Sequence, residues 1–275
     1  MGVILTPGWP SRPPRGAGLL KRDGNVVRRA MLVNGEVHLA EAAWQADKVH
    51  LRGSHEQAVE RLRFILALDD DLEPFHRAYR SDPLLGRVLK ANPKLRVTRT
   101  PDPFEALAWA VMYQLIDTQK AGMIAWEFTR RHGTRHESGL YAAPGPEAFT
   151  NQAALQQAGL GIQQARTLAR VARTVVDHGF DRRRIEATQG IGPWTLGQMD
   201  LFGFGRYDVP LEGDVGIRNS YARMVGARTG SVTEAEFKAV LDRYAPWQGM
   251  AALYMTAAGW RGGARYESVH APRRR

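Results

Sequence analysis

Two neighbouring segments in the second half of the chain carry the residues best suited to chemistry. The first is ATQGIGPWTLGQM, in which Gly190 and Gly192 flank Ile191 between two helical patterns. Glycines let a backbone turn approach a ligand closely, and the amides that open the next helix attract an anion such as phosphate. A glycine-rich turn that merely joins two helices would give the same pattern, so both interpretations stay open for this segment alone.

The second segment is LFGFGRYDVPLEGDVGIRNSYARM, which places an acidic residue at the start of a helical pattern. Asp214 follows Gly213 there and precedes Val215, so it is predicted to cap the helix and to hold its carboxylate at the mouth of a cleft. Capping aspartates far outnumber catalytic ones, and capping alone would explain this residue. The case for chemistry therefore depends on the two segments together.

The composition restricts which classes of protein the chain can be. Its 275 residues carry a net charge of +10 with a pI near 10.2, and arginine supplies most of the positive charge, which favours a polyanionic partner. The chain contains no cysteine, which excludes disulfides, thiolate zinc sites, cysteine nucleophiles and iron–sulfur clusters. We expect no catalytic metal.

The sequence also bears on location. No apolar run approaches the ~20 residues that span a bilayer, and the opening MGVILTPGWPSRPPRG lacks the pattern of a secretion signal. We therefore expect a protein with no membrane attachment that is cytoplasmic, nucleoid-associated if bacterial, and not secreted.

The spacing of apolar residues predicts a mixed, mainly α-helical protein in four parts. Residues 1–18, rich in proline and arginine, are predicted to form a flexible basic arm. Residues 19–98 are predicted to form a small antiparallel α+β domain, in which a helix covers the sheet. Residues 99–262 are predicted to form an all-helical core with a cleft between two lobes, and residues 263–275 a basic C-terminal tail.

Two local predictions can be compared directly with a structure. In the small domain, the pair Asn34-Gly35 is suited to a tight hairpin turn between strands. In the core, the run FEALAWAVMYQLIDTQKAGMIAWEFTRRHG is predicted to be the longest and most apolar helix, lying across the interior.

Taken together, the two chemical segments resemble the HhH-GPD superfamily of DNA glycosylases, which have a GIGPWT-like hairpin and a Gly-Asp pair about twenty residues later. The resemblance continues through PFEALAWAVMYQLIDTQKA, GLGIQQARTLARVA and YAPWQGMAALYM, so it covers most of residues 69–260. Within the superfamily the chain looks most like the AlkA type, also called 3-methyladenine DNA glycosylase II. The resemblance implies a helix-hairpin-helix core preceded by the small N-terminal domain of that type.

The resemblance assigns roles to matching positions. It places the catalytic aspartate at Asp214 and the apolar wedge, which enters the duplex where the damaged nucleotide leaves, at Gln114 and Leu115. A buried helix leucine is the competing explanation for Leu115. The phosphate-gripping hairpin is implied to comprise Gln189, Gly190, Ile191, Gly192 and Thr195. No cofactor is implied, although the hairpin carbonyls of the family can hold a monovalent cation.

Trp194 stands where relatives with lyase activity carry a Schiff-base lysine, so the resemblance implies a monofunctional glycosylase. The base pocket is implied to contain Trp109, Tyr113, Trp194 and Gln198, although core packing explains aromatic residues at helical spacing equally well. The chain departs from the AlkA type at Gln198, where a tyrosine is usual, and at Thr256, where a late-helix tryptophan is replaced. Gln198 could hydrogen-bond a base edge, or the pocket could be wider and accept other lesions.

The implied function is hydrolysis of the N-glycosidic bond of alkylated or otherwise damaged purines in duplex DNA, by a monomer that flips the target base and uses Asp214. Arg218 and Arg223, which follow Asp214 on the same helix, are candidates for binding DNA phosphates. Two alternatives stay open. One is a non-catalytic DNA-damage-binding module, and the other is a glycosylase for deaminated or oxidised bases.

Overall fold

A computed structural model of the chain describes residues 2–14, 18–209 and 211–259. Within these ranges it contains seven strands and thirteen helices, which confirms the predicted mixed, mainly α-helical class. None of the helices in the described ranges is both long and apolar enough to cross a membrane. The predicted basic tail, residues 263–275, lies outside the described residues.

The N-terminal part is an antiparallel sheet covered by one helix. Its strands, in chain order, are β1 (Gly2–Leu5), β2 (Leu20–Asp23), β3 (Val26–Val33), β4 (Glu36–Gln45) and β5 (Lys48–Gly53), arranged β1-β5-β4-β3-β2. Asn34 and Gly35 both have positive φ, 52° and 83°, and form the tight β3–β4 turn that their sequence predicts. Helix α1 (Glu56–Ile65) buries Leu62 and Ile65 against one face of this sheet.

The prediction of a flexible arm over residues 1–18 is wrong for its first residues. Strand β1 pairs with the outer edge of β5, with Gly2 opposite Arg52 and Leu5 opposite Val49. Beyond the strand, the Trp9 indole donates a hydrogen bond to the Pro93 carbonyl at 2.8 Å. A proline- and arginine-rich segment cannot build a core, but strand pairing needs only backbone groups and an open sheet edge.

The remainder of the described chain is helical apart from a two-stranded ribbon. The helices are α2 (Glu73–Tyr79), α3 (Gly86–Ala91), α4 (Pro103–Tyr113), α5 (Thr118–His132), α6 (Pro146–Phe149), α7 (Gln152–Gln157), α8 (Ile162–His178), α9 (Arg182–Glu186), α10 (Pro193–Gly203), α11 (Val215–Met224), α12 (Glu234–Asp242) and α13 (Gln248–Gly259). The ribbon consists of β6 (Thr134–Arg135) and β7 (Tyr141–Ala142) and follows α5.

The small domain ends before its predicted boundary at residue 98. The core of the sheet and α1 ends at Leu68, whereas Phe75 of α2 and Leu89 of α3 belong to the same buried cluster as α11, α12 and α13. In that cluster the Phe75 ring lies 5.5 Å from the Tyr254 ring of α13. Helices α2 and α3 therefore complete the C-terminal helical lobe, a contact between distant segments that local spacing does not encode.

The predicted single long helix is also wrong, because it is two helices, α4 and α5. Asp102 caps α4 by accepting from the Glu105 amide at 2.9 Å, and Asp117 caps α5 by accepting from the Gln119 amide at 2.8 Å. Between them, Leu115 has a φ of 56°, which no helix allows. The chain therefore turns sharply at residues 114–117.

Two buried clusters form the helical part. One contains α5 through α9, and the other contains α2, α3 and α11 to α13. Helices α4 and α10 pack against each other and contribute to both, with Ala106 and Phe202 in the second cluster and Leu107 and Met199 in the first. These two helices therefore form the floor between two helical lobes.

Candidate active site

A cleft of about 980 Å³ opens between the two helical lobes. Its walls come from α4 and the turn after it, the first half of α8, the α9–α10 hairpin, and the start of α11. The described residues that line it include Trp109, Tyr113, Gln114, Leu115, Gln164, Arg166, Arg170, Gln189, Gly190, Gly192, Trp194, Gln198, Asp214, Ser220 and Thr256. The cleft thus brings both sequence segments singled out for chemistry to one place.

Asp214 lies at the N-terminus of α11 and is 7% exposed. Its Oδ1 accepts from the Ile217 amide at 2.9 Å, so the residue caps the helix as its sequence predicts. Its Oδ2 accepts from Trp194 Nε1 at 3.0 Å and from Gln198 Nε2 at 3.2 Å. The carboxylate is therefore held in one orientation at the wall of the cleft. Asp214 caps the helix with one oxygen and lines the cleft at the same time.

The two side chains that hold Asp214 are positioned by helix α10. Trp194 and Gln198 are four residues apart, so they lie on the same face of that helix, one turn from each other. The helix is fixed at its other end by Asp200, whose buried carboxylate forms a bidentate pair with the partly exposed Arg182 of α9. Hydrogen bonding to Asp200 raises the pKa of Arg182, so the guanidinium stays charged.

The hairpin between α9 and α10 has the backbone of an anion site. Gly190 has a φ of 96°, and Gly192 is the N-cap of α10 but supplies no side-chain acceptor to cap it. Pro193 occupies the first helical position, and the first hydrogen bond of the helix runs from the Leu196 amide to the Gly192 carbonyl. The amides of Trp194 and Thr195 come before Leu196 in the chain. Neither has a helical carbonyl four residues earlier to which it could donate.

The side chains of the predicted hairpin residues are placed differently from one another. Gln189 is exposed and its Oε1 accepts from Arg170 at 3.1 Å, whereas Ile191 is half-buried. Thr195 is 1% exposed and its hydroxyl accepts from Gln114 Nε2 at 2.8 Å. The structure therefore does not bring the Thr195 side chain to the hairpin surface; its hydroxyl braces the turn from inside.

The predicted wedge residues separate into two structural roles. The Leu115 side chain is fully exposed, at 103% relative accessibility, which excludes the alternative of a buried helix leucine. Gln114 points the other way, with Nε2 3.0 Å from the Gly190 carbonyl and 2.8 Å from Thr195 Oγ1, and its own carbonyl accepts from Gln164 Nε2. Gln114 thus ties the turn that presents Leu115 to the hairpin.

The aromatic residues proposed for the base pocket are not equivalent. Trp194 and Tyr113 line the cleft and are half-buried, and burial raises the pKa of the Tyr113 hydroxyl above its ordinary value. Trp109 also lines the cleft but is 5% exposed, and its indole donates to Glu105 at 3.0 Å. Two further aromatic residues of the C-terminal lobe do not line the cleft: Tyr254 is buried in the core of that lobe, and Trp247 packs half-buried against it.

The two arginines proposed for phosphate binding are engaged within the protein. Arg218 donates to the Glu212 carbonyl at 3.2 Å and lies 2.9 Å from the Glu234 carboxylate, and Arg223 donates to Ser220 at 3.0 Å. Sequence reasoning missed two other arginines, Arg166 and Arg170 of α8, which line the cleft beside the hairpin. Their spacing of four residues on an amphipathic helix was the available signal.

The described residues contain no group of three or more histidine, aspartate or glutamate side chains that could hold a metal ion. The chemistry that this geometry supports is electrostatic. A fixed carboxylate at the wall of a partly apolar cleft can stabilise a developing positive charge or accept a proton from water.

No family model matches the chain. The chain is 27% identical over 215 residues to a probable bifunctional transcriptional activator/DNA repair enzyme AlkA of Mycobacterium tuberculosis, which covers 72% of this chain and 42% of that protein. It is 25% identical over 191 residues to DNA-3-methyladenine glycosylase 2 of Escherichia coli, which covers 64% of this chain and 65% of that protein. The chain therefore spans less than two thirds of the length of either relative.

Among solved structures, the 3-methyladenine DNA glycosylase of Archaeoglobus fulgidus superposes with a TM-score of 0.75 at 20% identity, over 86% of this chain and 88% of that chain. The fold is thus that of the helix-hairpin-helix DNA glycosylases. Within that class, the sequence is similar to curated proteins of the AlkA type, which confirms the resemblance inferred from the hairpin and Asp214.

Proposed function

We propose that this chain is a monofunctional DNA glycosylase of base-excision repair, which extrudes a damaged base from duplex DNA and hydrolyses its N-glycosidic bond. Alkylated purines are the proposed substrates. The observation that carries the proposal is the Asp214 carboxylate, which is fixed by Ile217, Trp194 and Gln198 in the same cleft as the hairpin. Similarity to curated 3-methyladenine glycosylases supports this substrate class.

The reaction requires stabilisation of positive charge on the sugar more than it requires an acid catalyst. A purine alkylated at N3 or N7 already carries positive charge, so the glycosidic electron pair leaves with the base and the sugar becomes oxocarbenium-like. Asp214 stabilises that cation, and a water oxygen then bonds to the anomeric carbon while its proton passes to Asp214 or to solvent. Because Asp214 lies within the cleft wall, a base stacked in a duplex cannot reach it, so the nucleotide must first flip out.

The absence of lyase chemistry is proposed from the residues that line the cleft. A lyase step requires an amine that forms a Schiff base with the sugar, and an indole cannot supply one. Trp194 occupies the hairpin position where the family's lyases carry lysine, and it donates its N–H to Asp214. The described residues that line the cleft include no lysine. Release of the base should therefore leave an intact abasic strand.

Double-stranded DNA is the proposed partner, bound by a monomer. The open amides at the start of α10 are suited to one backbone phosphate, and the hairpin carbonyls are proposed to accept a monovalent cation. Leu115 is proposed to fill the space that the flipped nucleotide vacates. The positive net charge supports binding to the polyanionic backbone, with an affinity that falls as salt rises.

The test is to incubate the protein with duplex DNA that carries N-methylated purines and to measure free base, alongside Asp214→Asn. The wild type should release base, and the variant should not. Products should show strand breaks only after alkali, and borohydride should trap no covalent complex. Borohydride trapping would contradict the monofunctional assignment. Binding to abasic DNA without release of any base would instead identify a non-catalytic damage-binding module.

A further inference from the structure

Gln198 is a polar side chain buried beside the proposed catalytic carboxylate. It lies on α10, one turn after Trp194, is 7% exposed, and lines the cleft. A buried amide is costly unless its polar atoms are used, because each unpaired group loses its hydration. The hydrogen bonds of this side chain therefore indicate what it does in the cleft.

The orientation of the Gln198 amide is fixed by its partner. A carboxylate only accepts hydrogen bonds, so the atom 3.2 Å from Asp214 Oδ2 must be the donor nitrogen Nε2. The reverse orientation would place two oxygens against each other. The amide oxygen Oε1 is therefore the atom of Gln198 that remains for another partner.

The described residues supply no such partner. Oε1 accepts no hydrogen bond from any of them. It also keeps contact with solvent, unlike the fully buried polar atoms that lack a partner. The neighbouring hydroxyls that line the cleft donate within their own helices, Thr256 to the Ala252 carbonyl and Ser220 to the Gly216 carbonyl, both at 3.0 Å. The Trp194 N–H donates to Asp214. This wall therefore presents Oε1 to the cleft as an acceptor.

We propose that Gln198 Oε1 selects flipped bases that carry an N–H donor on the edge facing α10, such as an exocyclic amino group or a ring N–H. The proposal rests on the proposed glycosylase function and specifies the substrate class of the same site. A base without such a donor would bury Oε1 unpaired and lose the corresponding binding. Alkylation that makes the purine cationic strengthens its N–H donors, so this acceptor also favours charged lesions over neutral ones.

The test compares two lesions in otherwise identical duplexes. 7-Methylguanine has a ring N–H and an amino group, whereas 1,N6-ethenoadenine has neither. Rates of base release are measured in single turnover for wild type and for Gln198→Met, which keeps the length of the side chain but removes its acceptor and donor. The leaving groups differ in intrinsic reactivity, so the readout is the ratio of the two rates and its change on substitution.

In Gln198→Met, the ratio in favour of 7-methylguanine should fall by about tenfold, the effect of losing one hydrogen bond to a charged partner. Loss of the contact to Asp214 slows both substrates equally and cancels in the ratio. Gln157→Met is the matched control, because it makes the same substitution at an exposed glutamine of α7 outside the cleft, so the ratio should stay at the wild-type value.

Two results would overturn the proposal, and they are distinguishable. An unchanged ratio with slower release of both bases would make Gln198 only a positioning residue for Asp214 and leave the glycosylase function intact. Failure of the wild type to release either base would reject the proposed function, and the proposed base selection with it.

Discussion

The two sides of the cleft are built on opposite principles. On one side, Asp214, Trp194 and Gln198 are joined by hydrogen bonds, and Asp214 and Gln198 are largely removed from solvent. On the other side, Leu115 has a fully exposed side chain on a backbone with a φ of 56°. A carboxylate that stabilises a cation must be fixed before the reaction, whereas a side chain that enters a duplex must be available to solvent before it binds.

Gln114 connects the two sides. Its side chain reaches the Gly190 carbonyl and the Thr195 hydroxyl, and the next residue along the chain is Leu115. The exposed side therefore depends on the buried one for its position. Substitutions on the two sides should consequently differ in kind: those at Asp214 should remove chemistry, and those at Leu115 should remove access to it.

The largest effect is expected for Asp214→Asn. The variant removes the negative charge but can still cap α11 through its side-chain oxygen, so folding should be retained. Release of N-methylated purines should fall by about 10³-fold, as is typical when an active site loses a main electrostatic group. Single-turnover base release measures the loss, and the thermal unfolding midpoint serves as the control. Full activity of the variant would mean that another group stabilises the sugar cation.

Gly190→Ala should perturb the hairpin, which serves both sides. Gly190 has a φ of 96°, and an added Cβ would collide with the Thr167 hydroxyl and approach its Cγ2 to 3.0 Å. We expect a loss of about 1–3 kcal/mol in the free energy of unfolding, measured with urea, and weaker binding to abasic duplex DNA. Gly192→Ala is the matched control, because its φ is −114° and an added Cβ meets nothing within 4 Å. Equal losses of stability would contradict the steric explanation.

Gln114→Leu should uncouple the wedge from the hairpin. Leucine is of similar size but leaves the Gly190 carbonyl and the Thr195 hydroxyl without their donor. We expect the free energy of unfolding to fall by about 1 kcal/mol. Base release from duplex DNA should slow more than release from single-stranded DNA, because only the duplex needs the wedge in place. If both substrates slow equally, Gln114 affects the hairpin alone.

The parts of the site that sequence predicted are those set by local rules. The capping position of Asp214 and the turn at Gly190 follow from which residues start helices and which tolerate positive φ. The resemblance to a known family added that the two segments meet. The orientation of the Gln198 amide could not be predicted, because it follows from a contact across 16 residues of chain.

Where prediction failed, a longer-range interaction had overridden the local pattern. The apolar spacing of α4 and α5 is continuous, and only the capping signal at Asp117-Thr118 marks the break. Strand β1 forms because β5 offers an open edge. The proline-rich residues that follow β1 do not indicate this pairing. Helices α2 and α3 join the C-terminal lobe through contacts with α13, more than 150 residues away in sequence.

The smallest effect on stability is expected for Leu115→Ala. This variant also tests most directly whether the two sides of the cleft have different roles. Because the side chain is fully exposed, its loss should change the free energy of unfolding by less than about 0.5 kcal/mol. Release of damaged bases from duplex DNA should nevertheless fall about tenfold, since extruding a base costs a few kcal/mol of stacking and pairing that the wedge helps to offset.

A lesion placed in a single-stranded bubble separates access from chemistry for this variant. Its base is already unstacked, so Leu115→Ala should release it at nearly the wild-type rate, whereas Asp214→Asn should be as inactive on the bubble as on the duplex. Val176→Ala on α8, which shortens another exposed apolar side chain outside the cleft, should leave both rates unchanged. A Leu115→Ala defect of equal size on bubble and duplex would place Leu115 in the chemical step and remove the division of roles between the two sides.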